Sequence, residues 1–134
     1  MFNPIRYDSG KLVKIYDGTA SGTTIAKGDA LDWSSGYLQR ATSGTTEVRL
    51  VAMEDVVTAG GAHEDILCIV TDGVQFEGST AGNSAVADRG TYYDLTDHDT
   101  LNDDASSSDV FYVIDVVGAA ADKKVLGYFV HNIA

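Results

Sequence analysis

Residues 66–77 read ILCIVTDGVQFE, and this stretch decides the fold class. Ile66 to Val70 is apolar at every position, which is typical of a short strand buried on both faces. Asp72-Gly73 supplies a turn, and residues 74–77 then alternate between apolar and polar side chains, as a second strand does. A strand, a glycine turn and a second strand predict a β protein in which residues 66–70 form a central strand.

The same pattern of short apolar or alternating runs, separated by Gly, Asp, Ser and Thr, recurs along the whole chain. Such spacing predicts an all-β fold, a compact β-sandwich or barrel with less than about 15% helix. One short helix is predicted at residues 83–88, with Asn83 as its N-cap and Gly90 at its end. The other predicted strands are 12–16, 30–33, 37–40, 48–57, 74–77, 91–95, 110–117 and 124–131, and Ser34-Ser35-Gly36 forms a hairpin turn between two of them.

The composition restricts the classes of partner. The chain has 134 residues, 20 acidic against 9 basic, and a net charge of −11. That sign argues against nucleic acid and against an anionic membrane surface, both of which attract Lys and Arg. No apolar run reaches the roughly 18 residues of a membrane span, and the first residues lack the apolar core of a signal peptide. Cys68 is the only cysteine, so no internal disulfide is expected.

The N-terminal segment differs from the rest. We expect residues 1–11 to form an extended arm and residues 12–134 a single β domain. The arm contains Phe2, Pro4, Ile5 and Tyr7 without strand or helix periodicity, and Pro4 lacks the N–H that a central strand needs. These four residues are predicted to bind a partner. The alternative is that the arm packs on its own domain as an edge strand.

No catalytic residues, metal site or cofactor are predicted. The three histidines share no ligand spacing, and no Gly-x-Ser-x-Gly or phosphate-loop motif occurs. Asp97 and Asp99 begin like a calcium loop, with Asp103 further on, but Leu101 stands where a third ligand should be, and the glycine and distal glutamate are missing. Residues 97–109 are therefore predicted to be an exposed acidic loop.

The aromatic residues indicate a surface for association. Trp33, Tyr92 and Tyr93 are candidates for an interface between copies of the chain, because aromatic side chains are enriched at such interfaces. Adjacent positions in a strand face opposite ways, so one ring of Tyr92-Tyr93 should point outward. Stacking on sugars is an alternative role for these aromatic rings.

Several segments, taken in order, resemble a known family. Residues 25–31, IAKGDAL, followed by Gly36-Tyr37-Leu38, resemble the β-hairpin of phage capsid cement proteins. Residues 50–56, then 66–73 leading into 74–77, and finally the closing strand 125–130 follow in the order found in those proteins. From Leu12 onward the chain resembles the head decoration proteins of tailed bacteriophages, including the lambda-type trimeric group with its β-tulip fold. The acidic loop 97–109 has no counterpart in that family.

The resemblance implies a virion structural protein without enzymatic activity. Such proteins bind the outer surface of the expanded capsid at three-fold sites. There they form homotrimers that clamp the major capsid protein, with the N-terminal arm as a capsid contact. The protein would be made in the host cytoplasm and end on the capsid exterior. Two alternatives are another virion β module, associated with the tail or fibre, and a carbohydrate-binding adhesion module.

Overall fold

A computed structural model describes residues 1–131 of the chain. Strands account for 43% of the structure and helical turns for 7%, so the all-β prediction with little helix is confirmed. None of the helical turns found between residues 1 and 131 has the length and apolar character needed to cross a bilayer. The last three residues of the predicted β domain, 132–134, lie outside the described residues.

The strands, in chain order, are β1 Asn3–Arg6, β2 Leu12–Ile15, β3 Thr24–Ile25, β4 Leu31–Ser34, β5 Tyr37–Arg40, β6 Leu50–Ala52, β7 Val56–Val57, β8 Ile66–Val70, β9 Gln75–Thr80, β10 Tyr92–Leu95, β11 Thr100–Asn102, β12 Phe111–Val117 and β13 Lys124–Phe129. Short 3-10 turns cover Ser9–Lys11, Val86–Asp88 and Ala120–Asp122.

Five strands close into a small barrel. The hydrogen-bonded order β9-β11-β10-β12-β13 returns to its start because β13 also pairs with β9. The pairings are antiparallel except for β9 with β11, which run parallel. Strand β1 pairs with the first residues of β9, 75–77, and β11 pairs with its last residues, Ser79 and Thr80. The two strands thus share one edge of β9. Most strand edges are therefore paired within the molecule, which limits uncontrolled edge-to-edge association.

Aromatic rings fill the barrel. Phe111 and Phe129 lie opposite each other on β12 and β13 with ring centroids 5.1 Å apart, and Phe76 approaches Phe129 from β9 at 5.2 Å. Phe2 completes this cluster, 4.9 Å from Phe129, and is fully buried. Edge-to-face packing of this kind adds to the stabilisation from apolar burial.

A three-stranded sheet, β2-β8-β6, separates two cores. Strand β8 lies in its middle, so the predicted central strand is confirmed. Ile69 belongs to the barrel core, whereas Ile66 and Cys68 belong to a second core on the other side of the sheet. This placement explains why β8 is apolar on both faces.

The second core is covered by two short pairs of strands. Strands β4 and β5 form the predicted hairpin, in which Ser35 and Gly36 have φ of 51° and 86° and make the tight turn. Strand β3 pairs with β7 and adds Ile25 to the same core. The segment 25–38 thus contributes to two separate strand pairs, β3 with β7 and β4 with β5.

Three local predictions are wrong. The predicted strand 48–57 is two short strands, β6 and β7, which pair with β8 and β3 respectively. Only Val86–Asp88 is helical in the segment 83–88, and its N-cap position is Ala85 rather than Asn83. Residues 97–109 do not form one solvated loop, because Thr100–Asn102 is strand β11, held between β9 and β10. Leu101 is fully buried there. Pairing with strands distant in sequence explains this element, which local periodicity could not reveal.

Candidate functional site

The barrel carries a row of three tyrosines on its outer face. Tyr92 on β10 lies opposite Tyr112 on β12, and Tyr112 lies opposite Tyr128 on β13. Residues opposite each other in antiparallel strands share a face, so the three rings form one row. Tyr92 is 43% exposed and Tyr128 37% exposed, and the Tyr92 and Tyr112 rings are 4.9 Å apart. We call these three residues the tyrosine row.

The residues adjacent to the tyrosine row in the chain point inward. Tyr93, Phe111 and Phe129 occupy the neighbouring positions of the same three strands and are buried. The inner row fixes the backbone that displays the outer row. The backbone positions of the tyrosine row are therefore set by the core of the barrel.

An acidic groove lies beside Tyr92. It has a volume of about 390 Å³, and its lining comprises Thr91, Tyr92, Tyr93, Asp103, Asp104, Ala105 and Ser106. One carboxylate oxygen of Asp103 accepts a hydrogen bond from the Gly82 backbone N–H at 3.0 Å. The Asp104 side chain is exposed and has no hydrogen-bond or ion-pair partner among residues 1–131. The groove therefore presents negative charge next to an aromatic surface.

Asp94 shapes the loop that borders this groove. Its carboxylate is buried and accepts hydrogen bonds from the backbone N–H groups of Ser107, Ser108 and Asp109 and from the Ser107 hydroxyl, at 2.8 to 3.1 Å. The Asp94 N–H in turn donates to the carbonyl of Ala105. A single carboxylate thus folds residues 105–109, and the acidic stretch is structural at this position.

Two basic residues on or beside the barrel strands are already paired. Arg89 donates to the Asp115 carboxylate at 2.8 Å, and Lys124 lies 3.3 Å from Glu77. The Val116 backbone N–H and the Arg89 guanidinium hold the pKa of Asp115 below its ordinary value. The nearby basic groups are thus matched by carboxylates of their own, whereas Asp104 in the groove is not.

The three aromatic interface candidates have different environments. Tyr92 is in the tyrosine row, and Trp33, on the hairpin β4–β5, is 49% exposed. Tyr93 is only 4% exposed, so its ring belongs to the core and offers little surface to another copy of the chain. Burial, with a hydrogen bond to Asp88, raises the pKa of Tyr93. The expectation that one ring of the Tyr92-Tyr93 pair points outward is confirmed.

The N-terminal residues also divide into two groups. Phe2, predicted as part of a capsid-binding arm, is fully buried in the core of its own chain, and its N–H donates to the Gly28 carbonyl at 2.8 Å. Residues 3–6 pair with β9, which matches the edge-strand alternative. Ile5 lies at a bulge in this pairing and is 46% exposed, and Tyr7 is 40% exposed. Pro4 is partly buried, and only Ile5 and Tyr7 present large apolar surface outward.

One cluster of potential metal ligands occurs within residues 1–131, formed by Asp29, His98 and Asp99. Asp29 is buried and already bonded: His98 Nδ1 is 2.9 Å from one oxygen, while Arg40 and the Ala26 N–H donate to the other. A cation bound here would lie against the Arg40 guanidinium, which Coulomb repulsion disfavours. The cluster is better described as an ion-pair network that ties the segment 97–99 to β5.

We expect that removing divalent cations leaves the protein unchanged. Dialysis against EDTA should shift the melting temperature by less than about 1 °C, because Asp29 has its charge balanced by Arg40. Differential scanning calorimetry with and without added Ca²⁺ or Zn²⁺ measures this. A rise of several degrees on adding either ion, abolished in Asp99→Asn, would contradict the expectation and assign a metal to the cluster.

The other potentially reactive side chains have structural partners. The His63 ring stacks on Tyr37 at 3.8 Å, and His131 Nε2 is 2.8 Å from the Thr71 hydroxyl. Burial, with a contribution from Glu54, raises the pKa of Cys68 to about 12, so its thiol is protonated and unreactive at neutral pH. These contacts account for each group by packing or hydrogen bonding.

Sequence reasoning missed Tyr112 and Tyr128, and it placed Asp104 only within the predicted acidic loop 97–109. Both tyrosines lie in strands that the alternation predicted, but the register that aligns them with Tyr92 joins distant parts of the chain. No protein-family model matches this chain, and neither the curated proteins nor the solved structures contain a match.

Proposed function

We propose that the protein is a virion structural protein that binds the outer surface of a bacteriophage capsid and stabilises the expanded head. The observation that carries the proposal is the tyrosine row, an aromatic surface displayed on a rigid barrel. Exposed aromatic surface of this kind is typical of protein interfaces, where Tyr is enriched and contributes strongly to binding. The resemblance of residues 25–38 and the later strands to head decoration proteins supplies the class of partner, the major capsid protein.

The proposed assembly is a homotrimer at three-fold sites, since a ring of identical copies on such a site has C₃ symmetry. Trp33 is an exposed aromatic residue outside the tyrosine row, and we assign it to contacts between copies. The net charge of −11 keeps unassembled copies apart and suits a position on the capsid exterior, away from packaged nucleic acid. The proposal includes neither an enzymatic activity nor a cofactor.

A protein partner fits the tyrosine row better than a sugar. Carbohydrates stack on the flat, open face of an aromatic ring. Here Tyr92 and Tyr112 pack against each other with their planes 47° apart, which covers part of each face. The alternatives, a carbohydrate-binding adhesion module and a tail or fibre component, are outcomes that the following experiment distinguishes.

Imaging of purified virions tests the proposal. Particles of the phage that encodes this chain should contain it in a ratio fixed to the capsid protein, with density on the outer surface at three-fold positions. Particles from a deletion strain should lack that density and should release DNA at a temperature lower by several degrees, because the clamp is missing. Absence from virions, location on the tail or fibre, or isolated single copies on the head would each contradict the proposal.

A further inference from the structure

We infer that the tyrosine row and the adjacent acidic groove form one binding face for an extended, positively charged segment of a partner protein. The segment would carry Arg or Lys among apolar residues. The inference deepens the proposed function, on which it rests for the source of the segment, the capsid. The face itself is argued from its own geometry and charge.

The two parts of the face are continuous. Tyr92 belongs to the tyrosine row and also lines the groove that contains Asp103 and Asp104. With neighbouring strands about 4.8 Å apart, the row spans about 10 Å, the length of about three residues of extended chain. A segment that crosses the row therefore reaches the groove within a few further residues.

The charges of the face require a positively charged occupant. The Asp104 side chain has no hydrogen-bond or ion-pair partner among residues 1–131, whereas Arg89 is paired with Asp115 and Lys124 with Glu77. An incoming guanidinium or ammonium group would meet an unpaired carboxylate. The same group is attracted to the faces of tyrosine rings by cation–π interaction.

A second copy of the chain fits the face less well. Each copy has a net charge of −11, so self-association through this face would bring its acidic groove close to another acidic surface. Tyrosine offers a large contact area with a hydroxyl that can bond to a peptide backbone, which suits an extended segment. Tyr92 is thereby assigned to the partner face rather than to contacts between copies.

Peptide binding to the full chain tests the inference without capsids. The probes are three fluorescent pools of 12-residue peptides, identical except for three fixed positions occupied by Arg, Glu or Ser. We expect fluorescence anisotropy to show binding of the Arg pool and at least ten-fold weaker binding of the other two. Raising the salt from 50 to 500 mM should weaken Arg-pool binding several-fold, since an exposed carboxylate contributes. Equal binding of the three pools, or none, would overturn the inference.

Matched variants locate the binding face. Tyr92→Ser and Tyr128→Ser should each weaken Arg-pool binding about ten-fold, as expected for aromatic residues central to an interface. Asp104→Asn should weaken it about three-fold and reduce its salt dependence. Tyr16→Ser is the control, because Tyr16 is 73% exposed but lies on β2's side of the molecule, outside the row. An equal loss in the control would contradict the assignment.

Two further readouts separate the possible failures. Unchanged melting temperatures show that the variants fold, and sedimentation shows their oligomeric state. If Tyr92→Ser alters self-association instead of peptide binding, the face joins copies and the inference is wrong. Arg-pool binding by a protein absent from virions would retain the inference and reject the capsid as partner. If the protein forms three-fold density on the head but its tyrosine row faces solvent, the inferred binding face is wrong while the proposed function stands.

Discussion

Replacing Phe2 with alanine should lower the free energy of unfolding by about 3–5 kcal/mol, the usual cost of removing a large buried aromatic side chain. Phe2 is fully buried between Phe111 and Phe129, with ring centroids 6.1 and 4.9 Å away. Its loss would leave a cavity in the barrel. Chemical denaturation monitored by tryptophan fluorescence measures the change, and the melting temperature should fall by on the order of 10–20 °C.

Ile5→Ala is the matched control for this prediction. Ile5 is 46% exposed, three residues away on the same segment, and its truncation should change stability by less than about 0.5 kcal/mol. Deleting residues 1–9 should destabilise the protein at least as much as Phe2→Ala, because strand β1 is lost with the ring. A deletion mutant with an unchanged melting temperature would restore the interpretation of this segment as an independent arm.

Asp94→Ala should lower the free energy of unfolding by about 2–4 kcal/mol. Hydrogen bonds to a charged acceptor are worth roughly 1.5–3 kcal/mol each, and Asp94 accepts four, but loop donors freed by the substitution can partly rehydrate. Urea denaturation measures the loss. Amide hydrogen exchange should accelerate at Ser108 and Asp109, whose N–H groups bind this carboxylate.

Asp104→Ala supplies the comparison for Asp94. It removes the same charge from the same acidic region, but its side chain has no partner among residues 1–131, so stability should change by less than about 0.5 kcal/mol. Equal effects of the two substitutions would mean that net charge, rather than the hydrogen-bonded loop, determines the stability of this region. Asp94→Ala should also weaken peptide binding, because residues 105 and 106 line the groove.

The local sequence pattern predicted the elements whose side-chain burial can be deduced from their own residues. Strand β8 is apolar throughout and lies between two cores, and the hairpin β4–β5 has its turn at Ser35-Gly36. The alternation at Tyr92-Tyr93 also predicted one outward ring. In each case the information needed is contained within a few adjacent residues.

The elements that depend on pairing with strands distant in the sequence were not predicted. The bulge at Ile5 interrupts the alternation of β1, so the strand looked aperiodic. Strand β11 has a single buried apolar residue, Leu101, between polar neighbours, and its strand conformation depends on β9 and β10. The tyrosine row is likewise a matter of register between β10, β12 and β13. Its members could be seen in the sequence, but their alignment could not.

The pairing of β9 with three strands has a consequence for folding. Its partners β1 and β13 come from opposite ends of the chain, and the Phe2 ring packs on Phe129. During synthesis β1 and β9 emerge well before β13, the strand that closes the barrel, so the core stays incomplete until residues 124–129 have been made. Contacts of such long sequence separation slow folding to the range of milliseconds to seconds. In that interval the net charge of −11 on each chain opposes association of incomplete barrels through unpaired strand edges.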